Sequence, residues 1–176
     1  MLDAAANHFQ LFGLAQSFRL DTLQLEQSFR ALQAEVHPDK SAHLSETEQR
    51  LAMQRSTLVN EAYQTLKSPI RRARYLLALN GVDTQEETNT AMPVDFLMSQ
   101  MEWREAVVDA QRLRDVVALD NLESRMKQDT RELEELLADK IDADHDHEGA
   151  ALLVRKLRFM EKLAEEIGSA YDEIDN

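Results

Sequence analysis

The sequence contains no cysteine. This absence excludes a disulfide framework, a thiol nucleophile, and a zinc ion or iron-sulfur cluster held by thiolates of this chain. Glycine and proline are also scarce, with 4 and 3 among 176 residues. Because the common residues are Leu, Ala, Glu, Gln and Arg, which favour helices, we predict an all-α protein with short connections.

Long apolar runs are missing as well. No stretch approaches the ~18 consecutive apolar residues that a membrane-spanning helix needs. The first residues also lack the basic and then apolar order of a signal peptide. We therefore expect a cytoplasmic protein that does not bind a membrane.

Acidic residues are few in the first half of the chain and frequent in the second. Through Val82 there are 9 Lys and Arg against 8 Asp and Glu, whereas beyond it there are 11 against 25, for a net charge of -13. An acidic second half argues against nucleic acid as a partner. The uneven charge predicts two modules that have different partners.

The first module begins its main helix at Asp21, which has the form of an N-cap with Gln24 at the third helical position. Pro38 disfavours helical geometry at the residue before it, so the helix should end near Val36. Apolar residues at steps of four, three and four predict one buried face. These residues are Leu25, Phe29, Leu32 and Val36.

A second long helix should begin after Ser45, because Ser45 and Glu48 form a capping-box pattern, and should end near Lys67. The two helices are predicted to pack as an antiparallel hairpin. A short helix follows from Pro69 to about Gly81. The predicted inner residues of the second helix are Leu51, Leu58, Ala62 and Leu66.

A polar run from Gly81 to Pro93 predicts the boundary between the modules. We place the first module at 1–81, a linker at 82–93 and the second module at 94–176. Three amphipathic helices in the second module predict a three-helix bundle. Their predicted core residues are Phe96, Trp103, Val107 and Ala110; then Leu119, Leu122, Met126, Leu133 and Leu137; then Leu153, Leu157, Met160, Ala164, Ile167, Tyr171 and Ile174.

The tripeptide His37-Pro38-Asp39, followed by Lys40, lies between the two long helices of the first module. Such a tripeptide alone is more often only a tight turn. The segments 60–66 (Asn-Glu-Ala-Tyr-Gln-Thr-Leu) and 71–75 (Arg-Arg-Ala-Arg-Tyr) follow it in a fixed order. With the helix before it and the capping box after it, this order resembles a J-domain over roughly residues 5–80.

The resemblance implies contact with an ATP-driven chaperone. J-domains insert this loop at the chaperone's nucleotide-binding domain and interdomain linker. Asp39 would then pair with an Arg of the chaperone, His37 would form a hydrogen bond and Pro38 would preset the loop. Arg30 and Lys40 would be the basic contacts.

The sequence departs from the J-domain pattern in the helix before the tripeptide, which is usually rich in Lys and Arg. Residues 22–36 contain Arg30 alone against Glu26 and Glu35. Electrostatic steering by this helix should therefore be weak. The departure favours a specialised chaperone over a general one of the DnaK kind.

The segments 95–105 and 154–163 are similar to the C-terminal bundle of the HscB family. On a helical wheel of ~100° per residue, Leu97, Met98 and Met101 lie away from the predicted core. These three residues either form an exposed binding surface or are covered by neighbouring helices. On the last helix, Phe159 is likewise predicted to lie off the buried stripe. The resemblance implies that these exposed residues bind the iron-sulfur scaffold protein IscU. The residues that it implies are Leu97, Met98, Met101, Glu102, Glu105, Asp109 and Phe159.

We therefore expect a monomeric adaptor, not an enzyme and without a cofactor, that delivers an IscU-type scaffold to an HscA-type chaperone and stimulates its ATPase. One alternative is a J-domain protein that recruits another client to a general DnaK-type chaperone. Another is metal binding by the Asp and His run at 142–148, although its spacing does not match a calcium loop. We expect a solvated turn there.

Overall fold

The computed structural model describes residues 6–36, 45–85 and 92–175. Within these ranges the chain forms seven α-helices and no strand, as the sequence predicted. It divides into two compact units, residues 1–79 and 80–176. Over the same ranges, no helix is long and apolar enough to cross a membrane.

The first unit contains four helices, whose bounds are α1 (His8–Leu11), α2 (Thr22–Val36), α3 (Glu46–Lys67) and α4 (Pro69–Leu79). Both predicted caps are present. An oxygen of the Asp21 carboxylate accepts a hydrogen bond from the Gln24 amide at 3.0 Å. Ser45 and Glu48 form the reciprocal capping box. These caps satisfy amide groups that a helix N-terminus leaves without partners, so local chemistry determines where each helix begins.

The hairpin of α2 and α3 buries Leu25 and Val36 from α2. Phe29 stacks on Tyr63 of α3, with ring centroids 3.9 Å apart. Leu51 was predicted to be buried, but it is 46% exposed. α2 has 15 residues and α3 has 22. At about 1.5 Å per residue α2 is too short to cover all of α3, and the buried residues of α3 start only at Val59.

A buried arginine connects the other elements of this unit. Arg72 is only 7% exposed. Its guanidinium donates to the Leu66 carbonyl oxygen at 2.8 Å and lies 4.9 Å from the centroid of the Phe18 ring. Because a buried cation needs such partners, Arg72 holds the α3–α4 turn against the segment before α2.

The second unit contains α5 (Val94–Leu113), α6 (Val116–Ala138), a π-helical turn (Asp139–Ala143) and α7 (His147–Asp175). Arg114 takes a left-handed conformation, with φ of 52°, where α5 ends. Its side chain donates to the Ile174 carbonyl oxygen, which connects this turn to the end of α7. The buried core includes Trp103, Val107, Ala110, Leu119, Met126, Phe159, Met160, Leu163, Ile167 and Ala170.

The buried face of α7 differs in part from the predicted one. Ala164 is exposed, whereas Leu163 is completely buried. The buried residues Phe159, Leu163, Ile167 and Ala170 follow each other at steps of four, four and three. This arc lies beside the predicted one on the same helix and shares Ile167 with it, and the predicted residues Leu157 and Met160 are buried as well.

The acidic run between α6 and α7 stabilises the turn. Lys140 Nζ lies 3.1 Å from a carboxylate oxygen of Asp144 and 3.1 Å from one of Asp146. Asp146 also accepts a hydrogen bond from the Gly149 amide at 2.9 Å. This amide, followed by Lys140, lowers the pKa of Asp146. The two carboxylates therefore have structural partners within the turn.

One titratable contact in the first unit leads to a prediction. The His8 ring stacks on Tyr75 with centroids 4.1 Å apart, and burial lowers the pKa of His8 below 6.5, while Glu61 acts in the opposite direction. NMR titration of the His8 ring should give a midpoint below 6.5, and Glu61→Gln should lower it further. A midpoint at or above 6.5 would contradict the burial of this ring.

The lowered pKa of His8 also makes the free energy of unfolding of the first unit depend on pH. The unfolded chain binds the His8 proton more tightly than the folded chain. The contribution of neutral His8 to the free energy of unfolding is therefore complete above pH 6.5 and decreases as the pH falls towards the lowered pKa. His8→Phe, which keeps an aromatic stack, should remove this part of the pH dependence.

Candidate partner-binding surfaces

One face of α5 carries apolar side chains that the bundle does not cover. Leu97, Met98 and Met101 are 41%, 59% and 73% exposed. Trp103, Val107 and Ala110 of the same helix are buried, as predicted. The interpretation in which neighbouring helices cover the three apolar residues is therefore wrong. We call the following set the α5 patch: Leu97, Met98, Met101, Glu102, Glu105 and Asp109.

Three carboxylates border the apolar part of the α5 patch, and all three are exposed. Asp109 pairs with Arg112 at 2.8 Å. Glu102 and Glu105 make no ion pair with any residue that the structure describes. Like charges three or four residues apart destabilise a helix by about 0.2–0.5 kcal/mol per pair. The spacing of Glu102 and Glu105 from each other, and of Glu105 from Asp109, thus does not stabilise α5.

Phe159 does not lie on this exposed surface, and the expectation that it is exposed is wrong. It is 7% exposed. Its ring meets the edge of Phe96 with centroids 5.6 Å apart, and the Arg104 guanidinium lies 5.6 Å from its centre. Phe159 is buried because it shares the inner arc of α7 with Leu163 and Ile167. Phe159 therefore packs against the inner side of α5, through Phe96 and Arg104.

Two exposed valines of α5 were missed by the sequence interpretation. Val94 is 72% exposed and Val108 is 58% exposed. They extend the line of Leu97 and Met101 at steps of three, four and seven residues. The same periodicity that identified the core would have found them, had it been applied to the outer face.

The other predicted contact region is on the first unit. The Arg30 side chain is 79% exposed and lies 3.5 Å from Glu26, one turn earlier on α2. The tripeptide His37-Pro38-Asp39 and Lys40 lie outside the described residues. They belong to the connection between the end of α2 at Val36 and the start of α3 at Glu46.

Known protein families match most of the chain in both units. Residues 7–75 match the family described as the DnaJ domain, and residues 92–168 match the family described as the HSCB C-terminal oligomerisation domain. A co-chaperone protein HscB homolog of Chromobacterium violaceum is 52% identical over 172 residues, which is 98% of this chain and 97% of the relative. One from Azoarcus sp. is 46% identical over 99% of both chains. The chain belongs to the HscB co-chaperone family.

Solved HscB structures have the same architecture. The chaperone HscB from Vibrio cholerae superposes with a TM-score of 0.86 at 37% identity, over 96% of this chain and 99% of that one. Human co-chaperone protein HscB gives 0.89 at 34% identity, over 95% and 83%. The fold is therefore a J-domain followed by the HscB C-terminal helical domain, and it supports a co-chaperone role in iron-sulfur cluster assembly.

The burial of Phe159 predicts a large stability effect. Phe159→Ala should lower the free energy of unfolding of the second unit by about 3 kcal/mol, because it removes a buried ring and leaves a cavity. Trp103 is the only tryptophan and lies in the same core, so its fluorescence in a urea titration reports this unit selectively. Met101→Ala is the matched control and should change the value by less than about 0.5 kcal/mol. Equal effects of the two variants would contradict the assigned burial.

Proposed function

We propose that this protein binds an IscU-type iron-sulfur scaffold through the α5 patch and presents it, in the cytoplasm, to an HscA-type chaperone whose ATPase it stimulates. The observation that carries the proposal is the α5 patch itself. It combines exposed apolar side chains with two carboxylates, Glu102 and Glu105, that make no ion pair with any described residue. A partner that covers such a surface removes apolar side chains from water and supplies cations to the carboxylates, and both effects favour binding.

The composition of the α5 patch indicates the kind of partner. Met98 and Met101 have flexible, polarizable side chains that adapt to an irregular partner surface. Glu102 and Glu105 make no ion pair within the described part of the chain, so they are available to cations of a partner. Such charges select the partner and its orientation more than they add affinity. The patch therefore suits a protein with an apolar contact area bordered by Lys or Arg.

Phe159 has an indirect role in this proposal. Its ring supports Phe96, and Arg104 lies over it. Both residues belong to α5, so Phe159 positions the helix that carries the α5 patch. Its loss should weaken scaffold binding through the helix position, without the removal of a direct contact.

The connection between α2 and α3 supplies the proposed chaperone contact. Asp39 would pair with an Arg of the chaperone, His37 would form a hydrogen bond and Pro38 would preset the loop. Arg30 and Lys40 would add basic contacts. Binding stimulates the ATPase only if the loop prefers the hydrolysis-competent conformation of the chaperone. Arg30 forms an ion pair with Glu26 at 3.5 Å, so the positive potential of α2 is reduced. Electrostatic attraction of a chaperone to α2 should therefore be weak, which favours a specialised chaperone over a general one.

The two contacts act together because one chain carries both. A scaffold bound to the second unit stays close to a chaperone bound to the first, and this raises its effective concentration there. A monomer is sufficient for this arrangement. No reacting group is needed on the co-chaperone, since hydrolysis takes place on the chaperone.

His37→Gln should abolish stimulation of the chaperone ATPase and leave scaffold affinity unchanged. The reason is that the substitution affects the first unit, whereas the α5 patch lies in the second. Steady-state ATPase with and without scaffold, together with calorimetry of scaffold binding, measures the two effects separately. Retained stimulation would exclude the tripeptide as the chaperone contact.

Leu97→Ala combined with Met101→Ala should weaken scaffold binding by about 2–4 kcal/mol if both side chains are interface anchors. Both are exposed, so the fold should be retained, which Trp103 fluorescence verifies. Leu136→Ala is a suitable control, because Leu136 is 53% exposed but lies on α6. Unchanged scaffold affinity in the double variant would exclude the α5 patch as the docking site.

A further inference from the structure

A groove lies between α5 and α7 of the second unit. Its volume is about 590 Å³. The buried residues Val107 and Ala170 are at its base, and Val108, which is 58% exposed, belongs to the α5 wall. Pockets of about 300–1,000 Å³ bury groups the size of a drug molecule, so this groove has room for a few partner side chains.

The groove is continuous with the α5 patch along one helix. Val108 is one heptad after Met101 on α5, about 10 Å along the helix axis. Arg104 separates the patch from α7, with its Nε 3.5 Å from a carboxylate oxygen of Glu166. Further along, the Gln111 amide donates to the Glu173 carboxylate. These two contacts between helices leave Val108 open between them.

The charges at the groove are mostly acidic. Glu166 and Glu173 are satisfied by Arg104 and Gln111. Glu165 belongs to the α7 wall, and its carboxylate makes no hydrogen bond or ion pair with any described residue. Lys162 is the one Lys or Arg of the groove lining whose side chain makes no ion pair with a described residue. Glu165 therefore adds to the negative potential of Glu102 and Glu105 in the α5 patch. A partner that extends from the patch into the groove meets an apolar base, with the carboxylates of Glu165, Glu166 and Glu173 on the α7 wall.

We propose that this groove is the second part of the scaffold-docking surface and receives apolar side chains from a basic segment of the scaffold protein. The inference rests on the proposed function, because it extends the same interface beyond the α5 patch. Val108 supplies the apolar contact, and Glu165 selects for Lys or Arg in the partner segment. Specificity for the scaffold then depends on two helices, α5 and α7.

The test is calorimetric titration of the full-length chain with a purified IscU-type scaffold. Val108→Glu places a charge in the groove mouth and should weaken binding at least about tenfold, which corresponds to about 1.4 kcal/mol. Val117→Glu is the matched control, since Val117 is 69% exposed and does not line the groove. It should bind within about twofold of the unaltered chain. Equal binding by the two variants would overturn the proposal.

Charge reversal gives an independent readout. Glu165→Lys should weaken binding and also reduce its dependence on salt concentration, because one attractive charge becomes repulsive. Trp103 fluorescence shows whether Val108→Glu disturbs the bundle. If it does, Glu165→Lys alone tests the proposal. Unchanged scaffold affinity and unchanged salt dependence in Glu165→Lys would then overturn the proposal that the groove binds the scaffold.

The two proposals fail in different ways. Loss of binding in the Leu97 and Met101 double variant, together with normal binding in both groove variants, rejects the groove and leaves the α5 patch in place. Failure of the unaltered chain to bind the scaffold rejects both.

Discussion

The packing of Phe96 against Phe159 determines how α5 is rotated in the bundle. Their rings meet edge to face with centroids 5.6 Å apart, next to buried Trp103. Once these aromatic residues face inward, the ~100° turn per residue requires Leu97 and Met101 to face outward. The exposed apolar face is thus a geometric consequence of the core, and changes in the core would reorient it.

Much of this arrangement was predictable from the sequence, because helix periodicity and caps are local properties. The capping box at Ser45 and the buried stripe of α5 are examples. The position of Phe159 was not predictable, because two adjacent arcs of α7 are both apolar. Only the locations of α5 and α6 decide that the arc of Leu163 is buried and Ala164 is not. The exposure of Leu51 has a similar origin, since it depends on the length of the partner helix.

Cations complete the aromatic core of the second unit at its surface. Arg125 lies over Trp103 at 4.7 Å, Lys156 over Phe96 at 5.0 Å and Arg104 over Phe159 at 5.6 Å. Such contacts stabilise by about 0.5–1 kcal/mol at exposed sites and cover apolar edges with the stems of long side chains. Three of the 11 Lys and Arg residues beyond Val82 are therefore used for packing. The remaining surface is correspondingly more negative.

This use of cations bears on partner selection. The half beyond Val82 has 11 Lys and Arg against 25 Asp and Glu, and several of its cations are held over rings or in the turn around Lys140. Long-range repulsion should reject acidic proteins, whereas a partner with a basic, partly apolar segment is attracted before contact. In the proposed complex, apolar contact at Leu97, Met101 and Val108 would contribute most of the affinity, because exposed charge pairs add little in water. In that complex the acidic surface would select the partner and the apolar stripe of α5 would supply the affinity, so only a partner that satisfies both should be bound tightly.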